Sequence, residues 1–144
     1  TDDLQQALED DSVALSTMKA SKFYNSFKTK IDIWETKLST IGEVIELLLG
    51  VQRKWIYLES IFMSGGDISK QLPEEYVLFV RINNDFTQTM TRLYNEPKAQ
   101  MTCCESDILI IINRMDEGLE RIQKSLDHYL ETKRRLSTIL FCIG

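Results

Sequence analysis

The chain has 144 residues, 43% of them hydrophobic, which is enough to bury the core of one domain. Its 17 basic and 22 acidic side chains give a formal charge of -5, which argues against nucleic acid or an anionic membrane surface as a partner. Two prolines and six glycines interrupt a composition that favours helix, so the predicted fold class is all-α.

The sequence contains no recognisable targeting signal, membrane span, disulfide framework or cysteine metal site. The start at Thr1 has no basic stretch followed by an apolar run, so no signal peptide is predicted. The apolar runs at 44–51 and 108–112 are far shorter than the roughly 20 residues that cross a bilayer. The adjacent pair Cys103 and Cys104 and the distant Cys142 fit neither a disulfide framework nor a metal site, which favours a reducing cytoplasm.

The first predicted element is a short helix over residues 13–20. Asp10, Asp11 and Ser12 precede it, and side-chain oxygens of these residue types accept hydrogen bonds from the first free amides of a helix.

A long helix follows, predicted over residues 23–62. Its apolar side chains recur at steps of four and three residues, as on one helix face. They are Phe27, Ile31, Trp34, Leu38, Ile41, Ile45, Leu48, Trp55, Leu58 and Phe62. At 1.5 Å per residue the helix would be on the order of 60 Å long. Gln52 is the polar residue on the stripe, and Gly50 is the expected point of any bend.

Two further long helices are predicted after a turn at residues 64–67. Pro73 suits the first turn of the next helix, and Glu74 and Glu75 suit its positive end. Its stripe is Tyr76, Phe79, Asn83, Phe86, Met90 and Leu93. A polar connection at 95–104 leads to a last stripe of Ile108, Ile112, Met115, Leu119, Ile122, Leu126 and Tyr129. The predicted architecture is an elongated antiparallel bundle of three long helices with a short N-terminal helix.

The last residues, 136–144, change character. After Lys133, Arg134 and Arg135 the chain becomes apolar and β-branched, so a β-prone, adhesive tail is predicted.

Catalytic patterns are missing from the sequence. No phosphate-binding loop occurs, since Gly65 and Gly66 are not followed by lysine. His128 is the sole histidine, so no nucleophile and base pair can be assembled. We therefore predict no catalytic residue, no cofactor and no metal. Trp34 and Trp55 are interpreted as packing anchors on one helix face.

A family resemblance rests on the segment from Gln52 to Phe62, which reads Gln-Arg-Lys-Trp-Ile-Tyr-Leu-Glu-Ser-Ile-Phe. It is followed by Asp67-Ile68 and by Gln71-Leu72-Pro73-Glu74, and the combination closely resembles the linker region of dynein heavy chains. The family-like residues are Trp34, Gln52, Trp55, Tyr57, Leu58, Glu59, Phe62, Asp67, Leu72, Pro73, Leu126, Tyr129 and Leu130.

The resemblance divides the chain into three parts, namely a lead-in with a short helix at 1–22, family-like long helices at 23–134 and a divergent apolar tail at 135–144. The tail lacks the Phe-Pro-Arg-Phe stretch of the family. A truncated gene model, a splice variant or an excised segment would each produce such an ending. The amino-acid sequence from Tyr57 to Phe62 is more similar to that of axonemal than to that of cytoplasmic heavy chains.

The resemblance implies a mechanical role in a cytoskeletal motor of the cytoplasm and the ciliary axoneme. The segment would be part of a helical lever, without an ATP site, in a parent heavy chain that is an ATP-driven motor. The implied partners are the AAA+ ring of the heavy chain, other dynein subunits and, indirectly, microtubules. Trp34, Trp55, Tyr57 and Phe62 would stiffen the lever by packing between helices. The alternatives are a free-standing helical adaptor and, more remotely, an enzyme.

Overall fold

The computed structural model describes residues 2–21, 23–64, 66–95 and 106–143, and within these ranges it contains helices and no strand. The helices are α1 (Asp2–Lys19), α2 (Tyr24–Phe62), α3 (Ile68–Gln71), α4 (Pro73–Asn95) and α5 (Ser106–Ile143). The all-α prediction is confirmed. Cys103, Cys104 and most of the predicted connection at 95–104 lie outside the described residues.

The first helix begins earlier than the sequence pattern indicated. α1 starts at Asp2, with Asp2 and Asp3 in its first turn beside the positive helix end and Lys19 in its last turn. The predicted N-cap at Asp10, Asp11 and Ser12 is wrong, because these residues lie in the middle of the helix. The stretch before them is rich in Leu, Gln, Ala and Glu, which are strong helix formers.

The long helix is confirmed. α2 has 39 residues and, at 1.5 Å per residue, is about 58 Å long. It runs through Gly42 and Gly50 without a break. After it, the carbonyl oxygen of Asp67 accepts from the backbone N–H groups of Lys70 and Gln71, which starts α3. Pro73 then occupies the first position of α4, as predicted.

Two apolar stripes occupy α2, one on each half. The first half buries Ile31, and the second half buries Val44, Val51, Leu58 and Phe62. Between the halves, Leu38, Ile41 and Val44 follow each other at two consecutive steps of three residues. In a regular heptad pattern the steps alternate between three and four residues. Here one step is a residue shorter, so the apolar stripe shifts around the helix axis by the angle of about one residue, roughly 100°. The two halves of α2 therefore face different neighbours.

The first half of α2 packs on α1, and the second half packs on α4 and α5. We call α1 with residues 24–40 of α2 the outer hairpin. We call residues 41–62 of α2, with α4 and residues 106–126 of α5, the three-helix region. Its buried apolar residues are Val44, Val51, Leu58, Phe62, Phe79, Ile82, Ile108, Ile112, Met115, Leu119, Ile122 and Leu126.

Aromatic contacts show that α2 and α4 run antiparallel. Phe62, at the end of α2, lies against Tyr76 and Phe79 near the start of α4. Trp55, two turns earlier, lies against Phe86, farther along α4. α5 packs against both helices, with Gly118 beside Ile82 of α4.

The end of α5 differs from its prediction. The predicted β-prone tail is wrong, because the helix continues to Ile143. Adding a residue to an existing helix is far easier than starting one. An ion pair from Arg135 Nη2 to Glu131 Oε1, 2.7 Å long and four residues apart, also supports this turn. From Glu131 to Ile143 every residue is exposed.

Candidate interaction surfaces

An aromatic cluster holds α2 to α4. The Trp55 ring stacks on Phe86 with centroids 5.4 Å apart, and its indole Nε1 donates a 2.9 Å hydrogen bond to Asn83 Oδ1. Phe62 stacks on Phe79 at 5.3 Å and lies 5.8 Å from Tyr76. Offset aromatic pairs of this kind add to the gain from burial alone. The packing role predicted for Trp55 and Phe62 is confirmed.

The same role is wrong for Trp34 and Tyr57. The Trp34 side chain is 44% exposed and lies on the outer hairpin, with Lys37 Nζ 5.3 Å above its ring. The Tyr57 side chain is 41% exposed. Both follow helical spacing, but spacing alone does not say whether a neighbouring helix covers the face on which they lie.

The family-like residues divide into two groups. Those that are buried or half-buried are Trp55, Leu58, Glu59, Phe62, Leu72, Leu126 and Tyr129. Those that are exposed are Trp34, Gln52, Tyr57, Asp67, Pro73 and Leu130. Trp55, Leu58, Phe62, Leu72 and Leu126 come together in the core of the three-helix region. The others line its surface or lie on other parts of the chain.

Several core residues were missed by sequence reasoning. Val44 and Val51 are fully buried, whereas the predicted stripe placed Ile45 and Gln52 at these turns. The signal was available, since Val44, Leu48, Val51, Trp55, Leu58 and Phe62 alternate steps of four and three. On α4 the missed residues are Ile82 and Thr89, while the predicted Met90 is exposed. The predicted stripe of α5 is confirmed from Ile108 to Leu126.

An apolar groove of about 780 Å³ runs along the outer hairpin. α1 contributes a stripe from Leu4 to Met18, and α2 contributes one from Tyr24 to Ile41. Its charged lining residues are Asp11 on α1 and Lys30 on α2. Phe27 and Trp34, on its α2 wall, are 54% and 44% exposed. The arrangement offers a long apolar surface of the kind that binds an amphipathic helix.

One side of the outer hairpin is closed by charged groups. Lys19 forms an ion pair and hydrogen bond with Glu35 and lies 4.0 Å from Asp32, whose carboxylate accepts a 3.2 Å hydrogen bond from the Tyr24 hydroxyl. The hydrogen bond to Glu35 raises the pKa of Lys19 above 10.5. Partial burial, and then the Asp32 charge, raise the pKa of Tyr24 above 10.0. At neutral pH the cluster ties α1 to α2.

A second groove, of about 360 Å³, lies between α4 and α5. Its floor is formed by Ile82, Met115 and Gly118, and its walls carry Arg81, Arg114 and Asp85. Its lining is more polar than that of the outer hairpin, and nothing in it forms a catalytic arrangement. On the other side of α5, Lys54 Nζ and Asp116 Oδ1 pair at 2.7 Å and link α2 to α5.

The described residues bring few chemically reactive side chains together. No group of three or more His, Cys, Asp or Glu side chains that could hold a metal ion occurs in the described part of the chain. His128 and Cys142 are exposed. No described helix combines the length and apolar character needed to cross a membrane. The surfaces described above are suited to contacts with other helices.

Comparison with known proteins identifies the family. The family model of the dynein heavy chain, N-terminal region 2, matches residues 1–141. The chain belongs to the dynein heavy chain family. The match includes residues 1–22 and 135–141, where the sequence motifs carried little of the resemblance.

Several of its relatives are axonemal or flagellar heavy chains. Mouse dynein axonemal heavy chain 2 is 50% identical over 136 residues, which cover 94% of this chain and 3% of that protein. The dynein-1-beta heavy chain of the flagellar inner arm I1 complex of Chlamydomonas reinhardtii is 46% identical over 94% of the chain and 3% of its own length. Human dynein axonemal heavy chain 10 is 42% identical over 99% of the chain and 3% of its own length. The chain therefore spans about 3% of the length of these relatives.

Proposed function

We propose that this chain is a non-catalytic mechanical segment of a dynein motor, part of the linker that acts as a lever in microtubule-based movement of cilia. The observation that carries the proposal is α2, a continuous helix of 39 residues whose second half is buttressed by two other long helices. A helix supported along its length by packed neighbours resists bending, as a lever must. Membership of the dynein heavy chain family supports the same role.

The proposed partners follow from this role. They are the remaining parts of a dynein heavy chain, including the AAA+ ring that hydrolyses ATP, the other dynein subunits and, indirectly, microtubules. The proposed location is the cytoskeleton of the cilium, in accordance with the axonemal and flagellar relatives. The segment itself would supply no catalytic residue and hold no cofactor.

The test uses a heavy chain that carries this segment and the matched substitutions Trp55→Ala and Tyr57→Ala. Trp55 packs between α2 and α4, whereas Tyr57 is exposed on the same helix. For Trp55→Ala we expect slower microtubule gliding with basal ATP hydrolysis retained, and for Tyr57→Ala little change in either. Equal loss of gliding and of basal hydrolysis with Trp55→Ala would count against a purely mechanical role.

A second candidate, a free-standing helical adaptor, is favoured by the apolar groove of the outer hairpin. The mass of the native polypeptide separates the two candidates. An antibody to residues 52–62 should detect a band many times larger than 16.7 kDa in cell extract if the segment belongs to a motor heavy chain. A band at 16.7 kDa would favour the adaptor.

A further inference from the structure

A run of basic residues in the last part of α5 is followed closely by a serine. Lys133, Arg134 and Arg135 precede Ser137, which therefore has an arginine at each of the positions two and three residues before it. Among all serine and threonine residues of the sequence, Ser137 alone has basic side chains at both positions. The next hydroxyl, that of Thr138, has an arginine only three residues before it. The order of residues thus distinguishes one hydroxyl from all others.

Two arginines at these positions form the pattern that basophilic protein kinases recognise. Acidic side chains in the peptide groove of such a kinase accept paired hydrogen bonds from each planar guanidinium group. These contacts fix the register of the bound peptide and so place one hydroxyl beside the phosphoryl group that is transferred. Charge patterns of this kind determine which substrates a kinase selects. Because the recognition residues adjoin the acceptor in sequence, no other surface of the chain is needed.

The segment around Ser137 is accessible in the structure. Every residue from Glu131 to Ile143 is exposed, and none of them belongs to the core of the three-helix region. Ser125, earlier on the same helix, is half-buried beside the core residue Leu126. A kinase can therefore reach the Ser137 hydroxyl without opening the packed part of the molecule.

The helix has to open locally, because kinases bind their substrates as extended peptides. Opening residues 131–143 uncovers no core side chain, and segments with few tertiary contacts open at little cost in free energy. Ser137, Thr138 and Ile139 favour helix less than Ala or Leu does. The ion pair between Arg135 and Glu131 joins two exposed side chains, so it adds little stability. Local opening of this part of α5 is therefore compatible with an intact three-helix region.

We propose that Ser137 is a phosphorylation site for a basophilic protein kinase that uses ATP. The Ser137 hydroxyl oxygen attacks the γ-phosphorus of ATP and forms a new O–P bond, while the bond from the γ-phosphorus to the bridging oxygen breaks. The products are phosphoserine and ADP, and the hydroxyl proton passes to the catalytic aspartate of the kinase. Arg134 and Arg135 hold the substrate, and Ser137 accepts the phosphoryl group.

Phosphorylation changes the charge of the segment. Residues 131–143 carry three basic side chains and one acidic side chain, a net charge of +2. A phosphoserine carries about −1.5 to −2 charges at neutral pH, so the segment becomes nearly neutral. Lys133 and Arg134 lie one helical turn before Ser137, where their charges attract the phosphate. The proposal goes beyond the mechanical role and does not depend on it.

The experiment incubates the 144-residue chain with ATP and the catalytic subunit of cyclic-AMP-dependent protein kinase, whose activity is verified on a control peptide. Mass spectrometry of the intact chain and of its proteolytic fragments counts and locates the phosphate. We expect one phosphate, on Ser137, in the wild type and in Thr138→Ala. Ser137→Ala should lose nearly all of it, and Ser125 should stay unmodified in every protein.

The role of the arginines is measured separately. Arg134→Gln and Arg135→Gln should each lower kcat/KM for Ser137 about tenfold or more, since each removes a charged hydrogen-bonding group. Arg135→Gln also breaks the ion pair with Glu131. Glu131→Gln breaks the same ion pair and keeps both arginines, so this matched control should be phosphorylated at least as fast as the wild type. All three residues are exposed, so thermal melts should show an unchanged three-helix region.

Three results would overturn the proposal. The first is a wild-type chain that takes up no phosphate, or takes it up on another residue. The second is an equal rate for the wild type and both arginine variants, since the basic residues would then not direct the kinase. The third is a rate that falls as far in Glu131→Gln as in Arg135→Gln, because the effect would then come from the ion pair and not from recognition.

Discussion

The three-helix region and the outer hairpin use the same long helix in different ways. The three-helix region encloses twelve buried apolar side chains, while among the described residues of the outer hairpin Ile31 alone is buried. Three helices surround a shared seam, whereas two helices leave one side of it open. Burial of apolar area is the main source of stability, so the two regions should differ greatly in their resistance to unfolding.

This difference in burial shows that one continuous helix, α2, can join a well-packed region to a hairpin whose apolar groove is open. At the two short steps of Leu38, Ile41 and Val44 the apolar stripe turns from one neighbour to the other while the backbone continues. A force applied to the outer hairpin would therefore reach the three-helix region through α2.

The largest effect should follow from removing a fully buried aromatic side chain of the three-helix region. Phe79→Ala deletes a ring that is fully buried and stacked on Phe62. Such a cavity costs about 3–5 kcal/mol, so the thermal midpoint should fall by roughly 10 °C or more. The matched control is Val77→Ala, two residues earlier on the exposed face of α4. Equal shifts of both variants in a thermal melt would contradict the assignment of the core.

Trp55→Ala should cost somewhat less than the roughly 3–5 kcal/mol of a fully buried aromatic residue, because Trp55 is only half-buried. The substitution removes the stack on Phe86 and leaves the amide of Asn83 without its indole donor. Tyr57→Ala, on the exposed side of the same helix, should change the thermal midpoint little. An unchanged midpoint for Trp55→Ala would refute the packing role of this residue.

The apolar stripes of α5 and α2 show how much of the core could be predicted from the sequence. The stripe of α5 was predicted from Ile108 to Leu126 because its spacing is regular and each position is apolar. On α2 a step of four from Ile41 leads to Ile45 and misses Val44 and Val51, because the periodicity changes at this point. A fixed period cannot describe a helix that changes partners along its length.

Exposure was harder to predict than periodicity. Trp34 and Tyr57 are large apolar or amphipathic residues at helical spacing, and both are exposed. Whether such a side chain is covered depends on the number and placement of neighbouring helices, which are tertiary facts. The same holds for the groove of the outer hairpin, which needs both α1 and α2, and α1 was predicted as a much shorter helix.

Ile31→Ala should open the outer hairpin without unfolding the three-helix region. Ile31 is buried on the α1 side of α2, outside the core of the three-helix region. We expect a local loss of up to about 2 kcal/mol, the lower part of the range for such substitutions, because the open site can relax. Hydrogen exchange should speed up in α1 while α4 and α5 keep their protection. Ile33→Ala, on the exposed face, is the control, and equal acceleration in all helices would show a single cooperative unit.

Replacing a glycine inside a helix by alanine should change the stability less, and should raise it rather than lower it. A Cβ added at Gly50 meets nothing within 4 Å, so Gly50→Ala should raise the free energy of unfolding by about 0.5–1 kcal/mol. At Gly118 the added atom would lie 2.6 Å from the end of the Ile82 side chain. Gly118→Ala should therefore gain less than Gly50→Ala in chemical denaturation. A larger gain at Gly118 would mean that α4 and α5 are packed less tightly there than the structure shows.

The smallest effect concerns alkaline pH and is confined to the outer hairpin. The partners of Lys19 raise its pKa above 10.5, so their stabilisation is present below pH 10.5 and is lost as the pH rises through the folded-state pKa. The pKa of Tyr24 is raised too, since burial and Asp32 disfavour the phenolate, so its ionisation acts in the same direction. We expect the contact between α1 and α2 to weaken slightly at alkaline pH, seen as a small loss of helical circular dichroism while the three-helix region stays folded. Lys19→Met should lack the contribution from Lys19, and an identical alkaline transition in both proteins would show that this ion pair does not hold the hairpin together.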